Sequence, residues 1–176
     1  VAGLVRIKYG LQKKLILGNL YSKRDWGHAK DYVYAMWLML QQKNPDDYVI
    51  ATGKMETVRR FVELTAMKIG WQKNKQGPAI IWEGKGVNEV GRRADTNEIV
   101  VQVDSRYFRP TEVDLLIGNS NKAKRELKWK AKTSLKKLVK DIQKCSKDKK
   151  FPILIDEEGM NVSRLTDIIN HDINAN

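Results

Sequence analysis

Lys23 and Arg24 stand side by side in Leu17-Gly18-Asn19-Leu20-Tyr21-Ser22-Lys23-Arg24-Asp25-Trp26-Gly27-His28, between a short apolar run and an amphipathic pattern. These residue types suit an anion, and a phosphate in particular. A helix start offers unpaired N–H groups and positive potential. Arg24 can present a planar fork to phosphate oxygens, and Lys23 a point charge. Asn19 carries both donor and acceptor for a base or sugar edge. Gly18 has no Cβ to hold a ligand away from the backbone. On charge alone, a solvated basic loop is the better reading.

The full strings are more specific than their charges. The second is Arg106-Tyr107-Phe108-Arg109-Pro110-Thr111-Glu112-Val113-Asp114-Leu115-Leu116, in which Pro110 keeps Arg109 extended. Together, and in this order, the two resemble the Leu-Gly-Asn…Lys-Arg-Asp-Trp-Gly-His-Ala and Arg-Pro-Thr-Glu-Val-Asp motifs of GDP-mannose 4,6-dehydratases, members of the extended short-chain dehydrogenase/reductase superfamily. The resemblance runs from about Val1 to about Gln143. It implies that Arg24 lies near the pyrophosphate of a nucleotide-sugar, that Arg109 contacts phosphate and that Glu112 accepts from ribose hydroxyls. Leu17, Gly18, Asn19 and Lys23 would line the guanine and ribose pocket. Trp26 is expected to pack rather than stack on the base, and His28 to shape a helix start.

The resemblance further implies an intact lyase that acts on GDP-mannose with tightly held NADP. Oxidation at C4 precedes loss of water across C5 and C6, and hydride returns to C6, giving GDP-4-dehydro-6-deoxymannose. The residues that perform these steps are expected upstream of Val1, as is most of the NADP site. No catalytic, cofactor-binding or metal-binding residue is therefore assigned in this chain. It is read as the C-terminal part of such an enzyme, inactive alone, cytoplasmic, and a homo-oligomer when intact. Another nucleotide-sugar epimerase or dehydratase of the superfamily is the alternative. Tyr21-Ser22 stands where Asp-Ala is expected, Ser105 where Pro is usual, and Asn119-Ser120-Asn121 in place of Asp-Pro-Thr. The change at Tyr21 puts the fine substrate contacts in question.

Short motifs elsewhere are rejected. Tyr9 and Lys13 have the Tyr-x-x-x-Lys spacing but lie in a Lys-rich helix end. Gly84-Lys85-Gly86 follows a strand pattern with no helix behind it, a poor dinucleotide loop. No Cys/His cluster has metal-ligand spacing.

The 176 residues suffice for one domain with a core, and the formal net charge is +12. Most of that excess lies between Lys122 and Lys150, with thirteen Lys/Arg against three Asp/Glu. Nucleic-acid binding is the obvious functional reading of such a run. Only Trp129 interrupts it, so the interleaved aromatics of single-strand binders are missing. A solvated helix face is preferred, with steering of a charged nucleotide-sugar as its secondary effect. No apolar run approaches the roughly 20 residues that span a bilayer. The single Cys145 cannot form an internal disulfide.

Alternating strand and helix patterns indicate an α/β fold: the last strands of a Rossmann-type parallel sheet plus a smaller substrate-binding domain. Helices are expected over Val1–Lys14, Ala29–Gln42, Thr57–Ile69, from Asn119 or Ser120 to Leu127, and from Thr133 onward. In the second, Val33, Met36, Trp37 and Leu40 form the core-facing stripe. Leu15–Leu17 reads as a short buried strand, Tyr48–Ala51 as a central parallel strand, and Ala79–Trp82 and Glu98–Asp104 as further strands. Gly84–Asn97 reads as a mobile loop. Residues 1–147 form the nucleotide-sugar-binding portion, and 148–176 an extension with a charged linker and a possible helix over Val162–Ile173.

Overall fold

The computed structural model describes residues 1–111 and 117–147, with side chains as far as 141. Glu112 and the whole of the 148–176 extension lie outside the described residues. Val1–Gln143 forms one compact unit.

Helix α1 (Ala2–Lys8) buries Leu4, Val5 and Ile7. It is shorter than its periodicity predicts, because Gly10 turns the backbone left-handed at φ +72° and Leu11 is left exposed. Tyr9 and Lys13 therefore do not share a helical turn. Strand β1 (Leu15–Leu17) follows. Among the described residues it lies at the sheet edge rather than buried: it pairs there only with β6, and Ile16 is exposed.

After β1 the chain does not run straight from a loop into a helix. Lys23–Asp25 forms strand β2, paired antiparallel with β3 (Met55–Thr57), so that Arg24 faces Glu56 in register. Helix α2 (Ala29–Leu40) starts at His28, whose Nδ1 accepts from the Lys30 N–H at 3.1 Å. Its buried side is not the expected one. Ala35 is fully buried in a cluster with Ala123, Leu127 and Trp129, while Leu38 and Met39 pack against that cluster. Val33, Met36, Trp37 and Leu40 are exposed, Leu40 at 82 %. Periodicity located an apolar stripe correctly but could not say that the cluster takes only its small-residue side.

Tyr48–Ala51 joins no strand ladder among the described residues. Tyr48 and Ile50 pack on the Trp129 cluster, and Val49 is exposed. Its alternation is that of a one-sided extended segment, not of a strand covered on both faces.

Thr57 caps α3 (Val58–Ile69) by accepting from the Arg60 N–H at 3.0 Å, and Gly70 ends it at φ +88°. Val62, Thr65, Ala66 and Ile69 are its buried face. Strands β4 (Ile80–Glu83), β5 (Val90–Arg93) and β6 (Ile99–Val103) then complete a four-stranded sheet in the order β1-β6-β5-β4. In it β1 and β6 pair parallel, and β4–β5 and β5–β6 antiparallel. The expected loop over Gly84–Asn97 is thus largely ordered: a short 3₁₀ turn at Gly86–Asn88 leads into the middle strand of a meander. Gly91 makes this possible. A Cβ there would meet Ile80, Trp82 and Val101 at 3.0 to 3.1 Å.

Helix α4 (Asn121–Glu126) begins after Asn119, whose Oδ1 accepts from the Asn121 N–H at 3.0 Å. In α5 (Leu135–Lys147) it is Ser134 rather than Thr133 whose hydroxyl accepts from the first turn, at the Lys137 N–H. The helix runs past Cys145 to Lys147. Among the described residues, no helix is long and apolar enough to cross a membrane.

Candidate functional site

The structure brings the two sequence motifs together through one side chain. Asn19 Nδ2 donates to the Arg109 carbonyl, and Asn19 Oδ1 accepts from the Arg109 N–H, both at 2.7 Å. Donor and acceptor of one amide thus complete a backbone pairing, in the manner of a strand neighbour. Gly18 permits this approach: a Cβ there would lie 2.1 Å from the Tyr107 carbonyl oxygen. The missing Cβ makes room for the Tyr107 backbone. Asp104 fixes the start of the second motif. Its N–H donates to the Leu17 carbonyl at 2.9 Å, and its carboxylate takes a fork from Arg106.

The cations are distributed unevenly. Arg109 is exposed, and among the described residues its guanidinium has no partner. Lys23 and Arg24 sit on the β2–β3 ribbon, where Arg24 also donates to the Lys23 carbonyl at 2.8 Å. Asp25 anchors that ribbon by accepting from the Thr52 N–H and hydroxyl and from the Gly53 N–H. Trp26 stacks on Phe61 with ring centroids 4.5 Å apart, and its indole N–H donates to the Glu56 carbonyl.

Next to the Asn19 clamp is a cavity of about 200 Å³ lined by Asn19, Leu20, Tyr21, Ser22, Gly86, Glu89 and Phe108. Glu89 is buried at 2 % exposure and accepts from Arg59 at 2.5 Å. The Arg59 guanidinium lies over the Trp82 ring, 4.6 Å from its centroid, and also donates to the Tyr21 hydroxyl. That hydroxyl in turn donates to Glu89 at 3.2 Å. Sequence reasoning missed Arg59 and Glu89, because Glu89 fell in a segment taken for a loop. The signal was there: Gly91 and its neighbours lie between two strand patterns at hairpin spacing.

Among the described residues there is no group of His, Cys, Asp and Glu that could hold a metal ion. No strand–Gly-rich turn–helix unit is present either, since Gly84–Gly86 leads into a 3₁₀ turn and then β5.

Solved structures share this architecture. The chain superimposes on RMD of Pseudomonas aeruginosa, solved with NADPH, with a TM-score of 0.60 and 18 % identity, over 83 % of this chain and 40 % of that one. It also matches WbmG of Bordetella bronchiseptica, solved with NAD and UDP, with a TM-score of 0.54 and 18 % identity, over 87 % and 41 %. The chain shares the α/β fold of these two proteins.

The particular family follows from sequence. The model of the GDP-mannose 4,6 dehydratase family matches residues 1–142, and the chain belongs to that family. It is 50 % identical to the GDP-mannose 4,6 dehydratases of Cricetulus griseus and Homo sapiens over 139 residues, 79 % of this chain and 36 % of each relative. It is likewise 50 % identical to the GDP-mannose 4,6-dehydratase of Sinorhizobium fredii over 133 residues, 76 % of this chain and 36 % of the relative. The chain therefore spans about a third of the length of these curated relatives.

Proposed function

We propose that this chain is the part of a GDP-mannose 4,6-dehydratase that binds the GDP moiety of the substrate. The intact enzyme, on this reading, converts GDP-mannose to GDP-4-dehydro-6-deoxymannose, as a cytoplasmic homo-oligomer. The observation that carries the proposal is the Asn19–Arg109 clamp. It fixes the backbone of a cation with no described partner beside a half-open cavity.

The roles follow from chemistry. Arg109 offers its fork to a phosphate oxygen, and Arg24 and Lys23 add charge from the ribbon. Glu112, outside the described residues, would accept from ribose hydroxyls. Asn19 acts by positioning Arg109, since both ends of its amide are engaged. Leu17 holds the second motif through its carbonyl, and Gly18 lets Tyr107 approach. By fixing the nucleotide, these residues orient the sugar for chemistry performed elsewhere in the enzyme.

NADP does not fit the residues present here. A dinucleotide site needs a Gly-rich turn opening a helix, and the one candidate turn opens a hairpin. We assign the cofactor to the two-thirds of the relatives' length that this chain does not cover, and residues 148–176 to a separate extension.

Calorimetric titration of the 176-residue chain with GDP, with UDP as the control, tests the proposal. Selective GDP binding that weakens in Arg109→Ala and in Arg24→Ala is expected. A folded chain that binds GDP no better than UDP, or whose binding ignores both substitutions, overturns it.

A further inference from the structure

We infer that the cavity between the β2–β3 ribbon and the segment leading into α5 is a second anion site, built by Lys54, Lys130 and Lys132 for a dianionic phosphate, free or carried on a small molecule. Its lining includes neither Arg24 nor Arg109, and no residue of the Leu17–Lys23 strip. It is therefore separate from the proposed GDP site and does not depend on that proposal.

The charges point to the ligand. One wall presents Trp26, Lys54 and Glu56, and the other Lys130, Lys132 and Ser134. Three cations thus face one acid. Other cations of the basic run are neutralised within the fold: Lys122 pairs with Asp46 at 2.6 Å, and Arg125 with Glu126 at 2.7 Å. Lys54 and Lys130 form no ion pair among the described residues. The Lys132 ammonium lies at the rim, 5.7 Å from the centroid of the Tyr34 ring. Like charges gathered around a concavity focus positive potential into it and draw in a counter-ion.

Two carboxylates that could neutralise these walls are engaged by main chain instead. Asp25 accepts from the Thr52 N–H at 3.1 Å, the Thr52 hydroxyl at 2.6 Å and the Gly53 N–H at 2.9 Å. The Thr52 oxygen in turn accepts from the Lys54 N–H at 3.1 Å. On the opposite wall Asp31 Oδ2 accepts from the Lys132 N–H at 3.1 Å and the Thr133 N–H at 2.9 Å. Each acid fixes the backbone that carries a lysine, so the lysine roots are set before a ligand arrives. The Ser134 oxygen accepts from the Lys137 N–H at 3.3 Å, and its proton is left to donate.

Size and chemistry narrow the occupant. At about 230 Å³ the cavity is smaller than the roughly 300–1,000 Å³ clefts that take drug-sized ligands. A phosphate dianion matches the excess of two positive charges and offers several acceptor oxygens. Lysine suits it, because an ammonium turns three donors toward a tetrahedral anion without demanding a planar fork. A carboxylate brings only one charge, and a metal cation is repelled. The Trp26 indole N–H is occupied by the Glu56 carbonyl, so that side chain presents its ring as an apolar wall. Beside it, a small organic group on the phosphate has room to lie.

The test is calorimetry of the 176-residue chain at fixed ionic strength with inorganic phosphate, and separately with a hexose 1-phosphate. Phosphate should bind and raise the melting temperature, as a ligand of the folded state alone does. Lys54→Gln and Lys130→Gln should each weaken it about three- to tenfold. Lys140→Gln, which removes the same charge outside the lining, should weaken it less than about twofold. Arg109→Ala should leave phosphate binding unchanged. Tighter binding of the hexose 1-phosphate assigns the site to an ester, and equal binding assigns it to free phosphate. A folded chain that binds neither probe overturns the inference. So does a loss in Lys140→Gln as large as in Lys130→Gln, which would show only the general charge of the surface. Binding lost in Arg109→Ala and kept in Lys54→Gln and Lys130→Gln would place the anion at the GDP site and overturn this one alone, whereas a failure to bind GDP with phosphate binding intact would overturn only the GDP proposal.

Discussion

Replacing Asn19 by Ala removes the bridge between the two motifs and nothing else of size. The two bonds lost are 2.7 Å each and both are exposed. Water competes for such groups, so each is worth about 0.5–1 kcal/mol at the low end of the usual range. Together they hold the Arg109 backbone by about 1–2 kcal/mol. If ligand binding requires the clamped loop, apparent GDP affinity falls by the lost fraction of competent molecules, about five- to thirtyfold. Two readouts separate positioning from contact. Amide exchange at Arg109 should accelerate in the free variant, since that N–H loses its acceptor. GDP binding should weaken while its enthalpy of phosphate contact, measured with pyrophosphate at saturation, persists. Faster exchange at Arg109 with unchanged GDP affinity would refute the reasoning, because the clamp would then be irrelevant to the ligand. Unchanged exchange would refute the clamp itself.

Four further outcomes are expected. Gly18→Ala should destabilise the chain by about 1–3 kcal/mol in denaturant melts, because its Cβ meets the Tyr107 carbonyl at 2.1 Å and the loop must shift; a neutral result would show that the two segments separate freely. Trp129→Ala should cost about 3–5 kcal/mol and lower the melting temperature by about 10 °C, as the indole is 1 % exposed and donates to the Asp31 carbonyl. Leu40→Lys should change stability by less than about 0.5 kcal/mol yet raise solubility, because Leu40 is 82 % exposed within an apolar helix face; a large loss of stability would mean that this face is covered within the chain. Burial pushes the Asp31 carboxyl up, but N–H and hydroxyl bonds from Thr133, the Lys132 N–H and the charge of His28 outweigh it and hold it below its ordinary value. Its contribution to stability is therefore full above about pH 4 and lost as pH falls through the depressed value, so Asp31→Asn should flatten the acid limb of the stability curve; superimposable acid limbs would refute this.

What could be read from residue order was whatever local chemistry decides. Thr57 and Gly70 bracket α3 because a side-chain acceptor and a left-handed turn are properties of single residues. The α/β class followed from alternating periods, and the family from two long strings. What could not be read was partner identity. The α2 stripe was visible, but the side that is buried depends on Trp129, ninety-four residues after Ala35. Tyr48–Ala51 has the composition of a two-sided strand, yet among the described residues only one side is covered. The β5 strand was hidden because its Gly, Arg and Glu residues have loop composition, and only Gly91 fits between Ile80, Trp82 and Val101.

The same logic shows what the fold asks of Asn19 and Gly18. Asn19 and Gly18 have the chemistry of ligand contacts, and sequence alone offers no other recipient for a free amide or a bare backbone. The fold supplies one in the Tyr107–Arg109 backbone, brought close by the β1–β6 pairing. Once that backbone takes both, Arg109 is left with a fixed main chain and an exposed guanidinium that has no partner among the described residues. Chemistry not consumed by folding is what remains for a ligand.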